Sequence, residues 1–198
     1  MPKSVLVLLA EGFEEVEAVT PIDYLRRAGI EVTVAGIGNT QLVSSARGLK
    51  VTADAIMSGL AGEGKLSPAA WDAVIVPGGL PGSDNLAASK EVGAFLIEMA
   101  REGKFLCAIC AAPARVLSPL GLLAGKRFTC YPGEEDKVLA PSSASAGAIW
   151  KEDRVVVDGN IITSRGAGSA GEFSCAIINS LLSRTDTESL AEKVLLSV

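Results

Sequence analysis

The chain alternates between short, continuous apolar runs and longer stretches in which apolar positions recur every three or four residues. Ser4 to Leu9 (SVLVLL), Glu31 to Ala35 (EVTVA), Trp71 to Val76 (WDAVIV) and Phe105 to Ile109 (FLCAI) have the length and β-branched content of buried strands. Between the first two, Val16, Val19, Ile22 and Leu25 recur at helical spacing, and Gly29 supplies a stop. Pro21 lies inside that helix and predicts a kink or a restart. Val92, Phe95, Leu96 and Met99 give an amphipathic helix over Lys90 to Glu102. Further on, Val155 to Val157 and Asn160 to Thr163 predict two strands turning at Asp158-Gly159, with apolar helices over Ser169 to Leu182 and Glu188 to Leu196. Residues 37–67 are irregular and rich in Gly and Ser, with a candidate strand at Leu49 to Ala53. Arg127 to Cys130 predicts a short strand, Tyr131-Pro132-Gly133 a turn, and Pro141 to Gly147 a loop of small residues.

Strands alternating with helices over the whole length predict a three-layer α/β sandwich, with a mostly parallel sheet and helices on both faces. The expected organisation is one domain over residues 1–198, ample for a single core. In such sheets the ligand crevice lies outside the carboxyl ends of the strands. The loops expected at that edge carry Glu14, Glu15 and Glu17 after the first strand, Gly78 and Gly79 after Val76, and Cys110 after Ile109.

Cys110 falls at the corner between a buried strand and a predicted helix start, with small Ala111 and Ala112 beside it. Free amide groups and the helix dipole at such a corner stabilise a thiolate and predict a thiol pKa below its ordinary value. The alternative is inert packing, since free cysteine usually behaves as a small buried hydrophobe. Glu14 and Glu15 are expected to face water and complement the helix dipole. Glu17 is spaced differently from that pair: either it too complements the helix dipole or, if it points into the crevice, burial would keep its carboxyl protonated near neutrality and able to donate to Cys110. Gly78 and Gly79 permit close backbone approach; their N–H groups suit half of an oxyanion site, with the amides after Cys110 as the other half, or else a plain turn. The segment Ser164-Arg165-Gly166-Ala167-Gly168-Ser169 lacks the Gly-x-x-x-x-Gly-Lys pattern of a nucleotide loop. It reads as a tight turn and helix cap in which Arg165 could hold a carboxylate.

Composition narrows the chemistry. The chain has no histidine, which removes Ser-His-Asp triads, Cys-His dyads and His-based zinc sites. A net charge of −5 leaves no basic footprint for nucleic acid or an anionic membrane. No apolar run approaches the ~18 residues of a transmembrane helix. Four cysteines (Cys107, Cys110, Cys130, Cys175) fit a reducing compartment, and the expected setting is soluble and cytoplasmic. Cys107 and Cys110 stand in a Cys-x-x-Cys spacing, but along an extended strand they would lie ~10 Å apart on opposite faces. With no second pair, neither a disulfide nor a zinc site is expected.

Four segments in order, AEGFEEVEAVTPIDYLRRAGIEVTVAG, VIVPGG, AICAAP and ITSRGAGSAGEF, resemble the ThiJ/PfpI superfamily, and within it the Parkinsonism-associated deglycase branch. The likeness runs from about Val5 to Val194. It implies a flavodoxin-like fold, a homodimer, no cofactor and an oxidation-prone nucleophilic cysteine. By position, Cys110 matches that cysteine and Glu17 the carboxyl bonded to it. Gly78 and Gly79, with Ala111, match the backbone that cradles the site. Arg47 matches a residue brought in by the partner subunit. Some members carry a histidine where this chain has Tyr131, a poor base at neutral pH. The resemblance implies cofactor-free glyoxalase or deglycase chemistry on methylglyoxal, glyoxal or their adducts, with Cys110 as nucleophile and Glu17 as proton shuttle. The alternative is a non-enzymatic redox sensor or stress chaperone acting through oxidation of Cys110. Peptidase and thiamine-pathway roles attach to the superfamily without support from these residues.

Overall fold

In the computed structural model, residues 2–197 are described. In chain order the strands are β1 (Ser4–Leu9), β2 (Glu31–Gly36), β3 (Leu42–Ser44), β4 (Lys50–Thr52), β5 (Ala55–Ile56) and β6 (Ala73–Val76). They continue with β7 (Phe105–Ile109), β8 (Arg127–Phe128), β9 (Ile149–Trp150), β10 (Val155–Asp158) and β11 (Ile161–Ser164). The α-helices are α1 (Glu15–Arg27), α2 (Met57–Gly62), α3 (Gly82–Ala88), α4 (Lys90–Arg101), α5 (Glu135–Leu139), α6 (Ala170–Leu181) and α7 (Arg184–Lys193).

Seven strands form the central sheet in the order β10-β11-β7-β6-β1-β2-β5. Only β10 runs antiparallel, paired with β11 in a hairpin whose turn is Gly159-Asn160. The strand order reverses between β1 and β6, so the crevice at the carboxyl edge opens there. Alternation along β1 sends Leu6 and Leu8 into one core with Phe95, Leu96 and Met99 of α4, and Val5, Val7 and Leu9 into another with α1 and α6. The sheet is covered on both faces, as a flavodoxin-like α/β sandwich requires.

Helix α1 differs from the expectation in two ways. It runs unbroken through Pro21, which is buried within it. Its inward residues are Glu17, Ala18, Pro21, Ile22 and Leu25, while Val16 and Val19 are 45% and 41% exposed. The apolar stripe read from spacing alone was therefore rotated, because a buried carboxyl occupies part of the inward face. Helices α2 and α3 carry weak patterns and were not anticipated. Leu49 to Ala53 shortens to β4, the second strand of a small hairpin with β3. The closing helix starts at Arg184, before the expected Glu188.

Candidate active site

Strand β7 delivers Cys110 to the carboxyl edge and the backbone then turns at φ 64°, a left-handed conformation that strains a residue bearing a Cβ by on the order of 1–2 kcal/mol. Hydrogen bonds on both sides hold the corner. The Cys110 N–H donates to the Ser164 carbonyl (2.9 Å), and the Tyr131 N–H donates to the Cys110 carbonyl (2.8 Å). This turn swings the Cys110 side chain to the α1 side of the sheet, where Cys107 also packs. The expectation of opposite faces held for a straight strand, and the chain leaves the strand at Cys110. All four cysteines are free.

The helix expected after Cys110 is short. Pro113–Leu117 form a single wide turn and Ser118–Leu120 a 3-10 turn. Individual amides, rather than a long helix dipole, favour the ionised sulfur: the N–H groups of Ala111 and Gly79 lower the thiol pKa.

Glu17 comes to the thiol from α1 and is 1% exposed. Its Oε2 accepts from the Gly78 N–H at 2.9 Å, and the carboxyl lies beside Cys110 and near the Ala167 N–H, both of which favour its ionised form. Burial, helped by the nearby Glu14 carboxylate, pushes the Glu17 carboxyl up to about 7 against the lowering effect of these donors. Glu14 does not simply face water, since its Oε2 caps α1 by accepting from the Glu17 N–H at 2.9 Å.

The thiol pKa differs from the expectation. Burial, then the charge of Glu17, raise the Cys110 thiol above its ordinary value, and the Ala111 and Gly79 amides oppose this without overcoming it. The two acids are coupled through their contact, so losing one proton holds the other more tightly. Protonating Glu17 removes its charge from beside the sulfur and leaves a carboxyl O–H and two amides as donors. Near neutral pH the thiol therefore keeps its proton while the Glu17 carboxyl is partly ionised.

The glycines divide the work differently from the expectation. The Gly78 N–H is committed to Glu17, so the free-standing pair of donors around the sulfur is Gly79 and Ala111. A Cβ on Gly78 would lie 2.5 Å from Glu17 Oε2 and 2.6 Å from the Cys110 Cβ, which explains why only glycine fits between acid and thiol. Gly79, at φ +89°, lets the chain pass 2.4 Å from where a Cβ would meet the Glu14 nitrogen.

Residues 164–169 also enter the site, which the reading as a tight turn and cap did not foresee. Ser169 Oγ accepts from the Gly166 N–H (3.2 Å) and lies 2.7 Å from Ser164 Oγ, bracing the turn that presents Gly166 and Ala167 to Glu17. A Cβ on Gly166 would stand 3.9 Å from Cys110 Sγ, 3.7 Å from Glu17 Oε1 and 3.7 Å from Tyr131 Cδ2. Acid, sulfur and tyrosine ring therefore converge on one point. The repeated glycines hinted at a close approach, but nothing in their spacing said to what. Among the described residues Arg165 holds no carboxylate; its Nη1 donates to the Glu152 carbonyl (3.1 Å).

Tyr131 is 53% exposed at the mouth of the site. Arg47 stays outside it within one chain. Arg47 is exposed at the tip of the β3–β4 hairpin, with Nη1 3.5 Å from the adjacent Ala46 carbonyl. That tip abuts the start of α1 through the Ala46 N–H, which donates to the Phe13 carbonyl at 2.7 Å. Among the described residues, no group of three or more Cys, Asp and Glu side chains is placed to hold a metal ion, and no helix is long and apolar enough to cross a membrane.

A doubly covered parallel sheet, with a left-handed cysteine at its carboxyl edge and a buried acid against the thiol, defines a class of α/β proteins built around a cysteine elbow. The chain belongs to the DJ-1/PfpI family, which it matches over residues 3–180. It is 37% identical to Protein dj-1beta of Drosophila melanogaster, covering 100% of this chain and 99% of that one. It is 33% identical to the Glutathione-independent glyoxalase DJR-1.2 of Caenorhabditis elegans, covering 98% of this chain and 97% of the other. Its fold superposes on that of oxidized DJ-1 from Toxoplasma gondii with a TM-score of 0.89 at 37% identity, over 99% of this chain and 100% of that one. The chain spans only 39% and 47% of the lengths of the DJ-1 homologs B and A of Arabidopsis thaliana.

Proposed function

We propose that the protein is a cofactor-free glyoxalase or deglycase acting on methylglyoxal, glyoxal and their adducts. The observation that carries this reading is the buried Glu17 carboxyl beside Cys110, with Oε2 and the Cys110 Cβ 2.5 and 2.6 Å from where a Cβ on Gly78 would stand, and with burial raising the carboxyl pKa to about 7. An acid so poised takes and returns protons at neutral pH. The name of the Caenorhabditis elegans relative supports the same chemistry.

Cys110 Sγ adds to the aldehyde carbon of methylglyoxal as the thiol proton passes to the Glu17 carboxylate and from there to the former carbonyl oxygen, which becomes the hydroxyl of a hemithioacetal and leaves Glu17 ionised again. The Gly79 and Ala111 amides stabilise charge developing beside the sulfur. Glu17 then moves a proton from the former aldehyde carbon to the adjacent carbonyl carbon through an enediol. The product is a thioester of the 2-hydroxy acid. Water cleaves the carbon–sulfur bond, releasing the acid and regenerating the thiol, so the net reaction consumes one water and no external oxidant. Methylglyoxal loss is measured for wild type, Cys110→Ser and Glu17→Ala; a rate unchanged in either variant refutes the mechanism.

Two observations support a homodimer in which α1 faces a second copy. Val16 and Val19 are exposed on that helix, and Glu15 Oε2 is buried there without a hydrogen-bond partner among the described residues. Arg47, on the adjoining hairpin, supplies a cation for such an interface. Sedimentation of wild type against Val16→Asp tests it, and a monomeric wild type refutes it.

A second reading, a redox sensor, draws on the difference in exposure between Cys110, which is partly exposed, and the three buried cysteines. Oxidation would fall selectively on Cys110, in keeping with the oxidized form of the Toxoplasma gondii relative.

A further inference from the structure

The mechanism leaves Arg115 unused, yet this side chain ties together three segments that build the site. It lies five residues after Cys110, and its side chain is 21% exposed. Arg115 Nε and Nη2 each donate to a different oxygen of Glu134, both at 2.9 Å, in a two-pronged pair with a carboxylate only 13% exposed. Its Nη1 donates to Asp84 Oδ1 at 2.7 Å, on the helix that follows Gly78 and Gly79. Lys137 adds a second cation to Glu134 at 2.9 Å.

Glu134 is the closing residue of the turn that Tyr131 opens, with its N–H donating to the Tyr131 carbonyl at 3.0 Å. The turn is thus fastened to the cysteine segment at both ends. The Tyr131 N–H holds the Cys110 carbonyl at one end, and Arg115 holds the Glu134 carboxylate at the other. These bonds fix the Tyr131 backbone, and from it the ring edge reaches the Gly166 contact point that it shares with Cys110 Sγ and Glu17.

We propose that Arg115 is a positioning residue: by clamping Glu134 it holds the Tyr131 ring over the Cys110 sulfur and so governs which molecules reach it. This rests on the proposed site at Cys110 and adds to it a determinant of access. A planar, two-pronged grip is what a guanidinium supplies and an ammonium does not, so Arg115→Lys is expected to fall between wild type and Arg115→Gln.

The test is the rate of Cys110 alkylation by iodoacetamide at fixed pH, resolved by cysteine with mass spectrometry. Arg115→Gln and Tyr131→Ala are each expected to raise the Cys110 rate at least about threefold, the lower end of coupling within one contact network. The double variant is expected to be no faster than the faster single one, because both changes remove the same obstruction. Cys107, Cys130 and Cys175 are buried and should stay unreactive; a variant in which they react too has loosened the whole fold, which overturns a purely positional role. A Cys110 rate within twofold of wild type for Arg115→Gln, or effects that multiply in the double variant, also overturns it. Should Arg115→Gln fail to fold because Glu134 keeps only Lys137 as a partner, Arg115→Gln combined with Glu134→Gln removes both charges and takes its place. Methylglyoxal turnover is read in parallel. Its absence from wild type would defeat the glyoxalase reading and leave the alkylation result to decide the clamp.

Discussion

Replacing Glu17 by Gln should make the protein more stable at neutral pH, by an amount that depends on pH in a defined way. The carboxyl ionises at about 7 in the folded chain against an ordinary 4.5. Its folded pKa is raised, so its contribution to stability is complete below pH 4.5 and is lost as pH climbs through 7. At about 1.4 kcal/mol for each tenfold change in proton affinity, the loss is about 3 kcal/mol by pH 8. Gln cannot ionise and escapes this loss. It has its own constant penalty, because its NH2 cannot accept from the Gly78 and Ala167 amides as a carboxyl oxygen does, and one hydrogen bond is worth about 1 kcal/mol. The variant should therefore be slightly less stable than wild type at pH 4 and more stable at pH 8, with the two curves crossing between. The swing of about 3 kcal/mol corresponds to about 10 °C in Tm for a chain of this size. Urea unfolding of both proteins at matched concentration, every half unit from pH 4 to pH 8, measures the difference, and the other carboxylates cancel in it. A difference that stays flat across that range would refute the claim that Glu17 is held partly protonated by burial.

Three further outcomes follow from the same geometry. Gly78→Ala puts a Cβ at 2.5 Å from Glu17 Oε2 and 2.6 Å from the Cys110 Cβ, and should cost about 1–3 kcal/mol of stability in urea unfolding together with most of the methylglyoxal activity. Gly166→Ala meets its neighbours only at ordinary contact distances of 3.7 Å and beyond, in an extended backbone. Its Tm should stay near that of wild type while KM for methylglyoxal rises, since the new methyl narrows the space between Cys110, Glu17 and Tyr131. Under mild peroxide, mass spectrometry should find Cys110 oxidised ahead of Cys107, Cys130 and Cys175; equal oxidation of all four would sink the sensor reading.

Much of this was legible in the order of residues. Continuous apolar runs can satisfy burial on both faces only as central strands, so the parallel sheet and its two covering layers followed from β1, β2, β6 and β7. Topology then sent the loops bearing Glu17, Gly78 and Cys110 to one edge, because every right-handed crossover returns the chain to the same end of the sheet. Those inferences need only local pattern and chain connectivity. The phase of α1 was misread, since a helical stripe that includes a carboxyl looks polar where it is in fact buried.

What the tertiary structure alone decided was ionisation and reach. Whether the thiol or the acid keeps the proton depends on burial and on amides from three separated segments, and no spacing along the chain encodes that balance. The left-handed turn at Cys110 is held by Ser164 and Tyr131, which lie 54 and 21 residues away in the chain. Gly166 and Ala167 join the site by the same kind of long-range contact. Residue type and order determine which elements form and where their ends meet; electrostatics at the meeting point depend on distances of a few ångströms that only the packed chain sets.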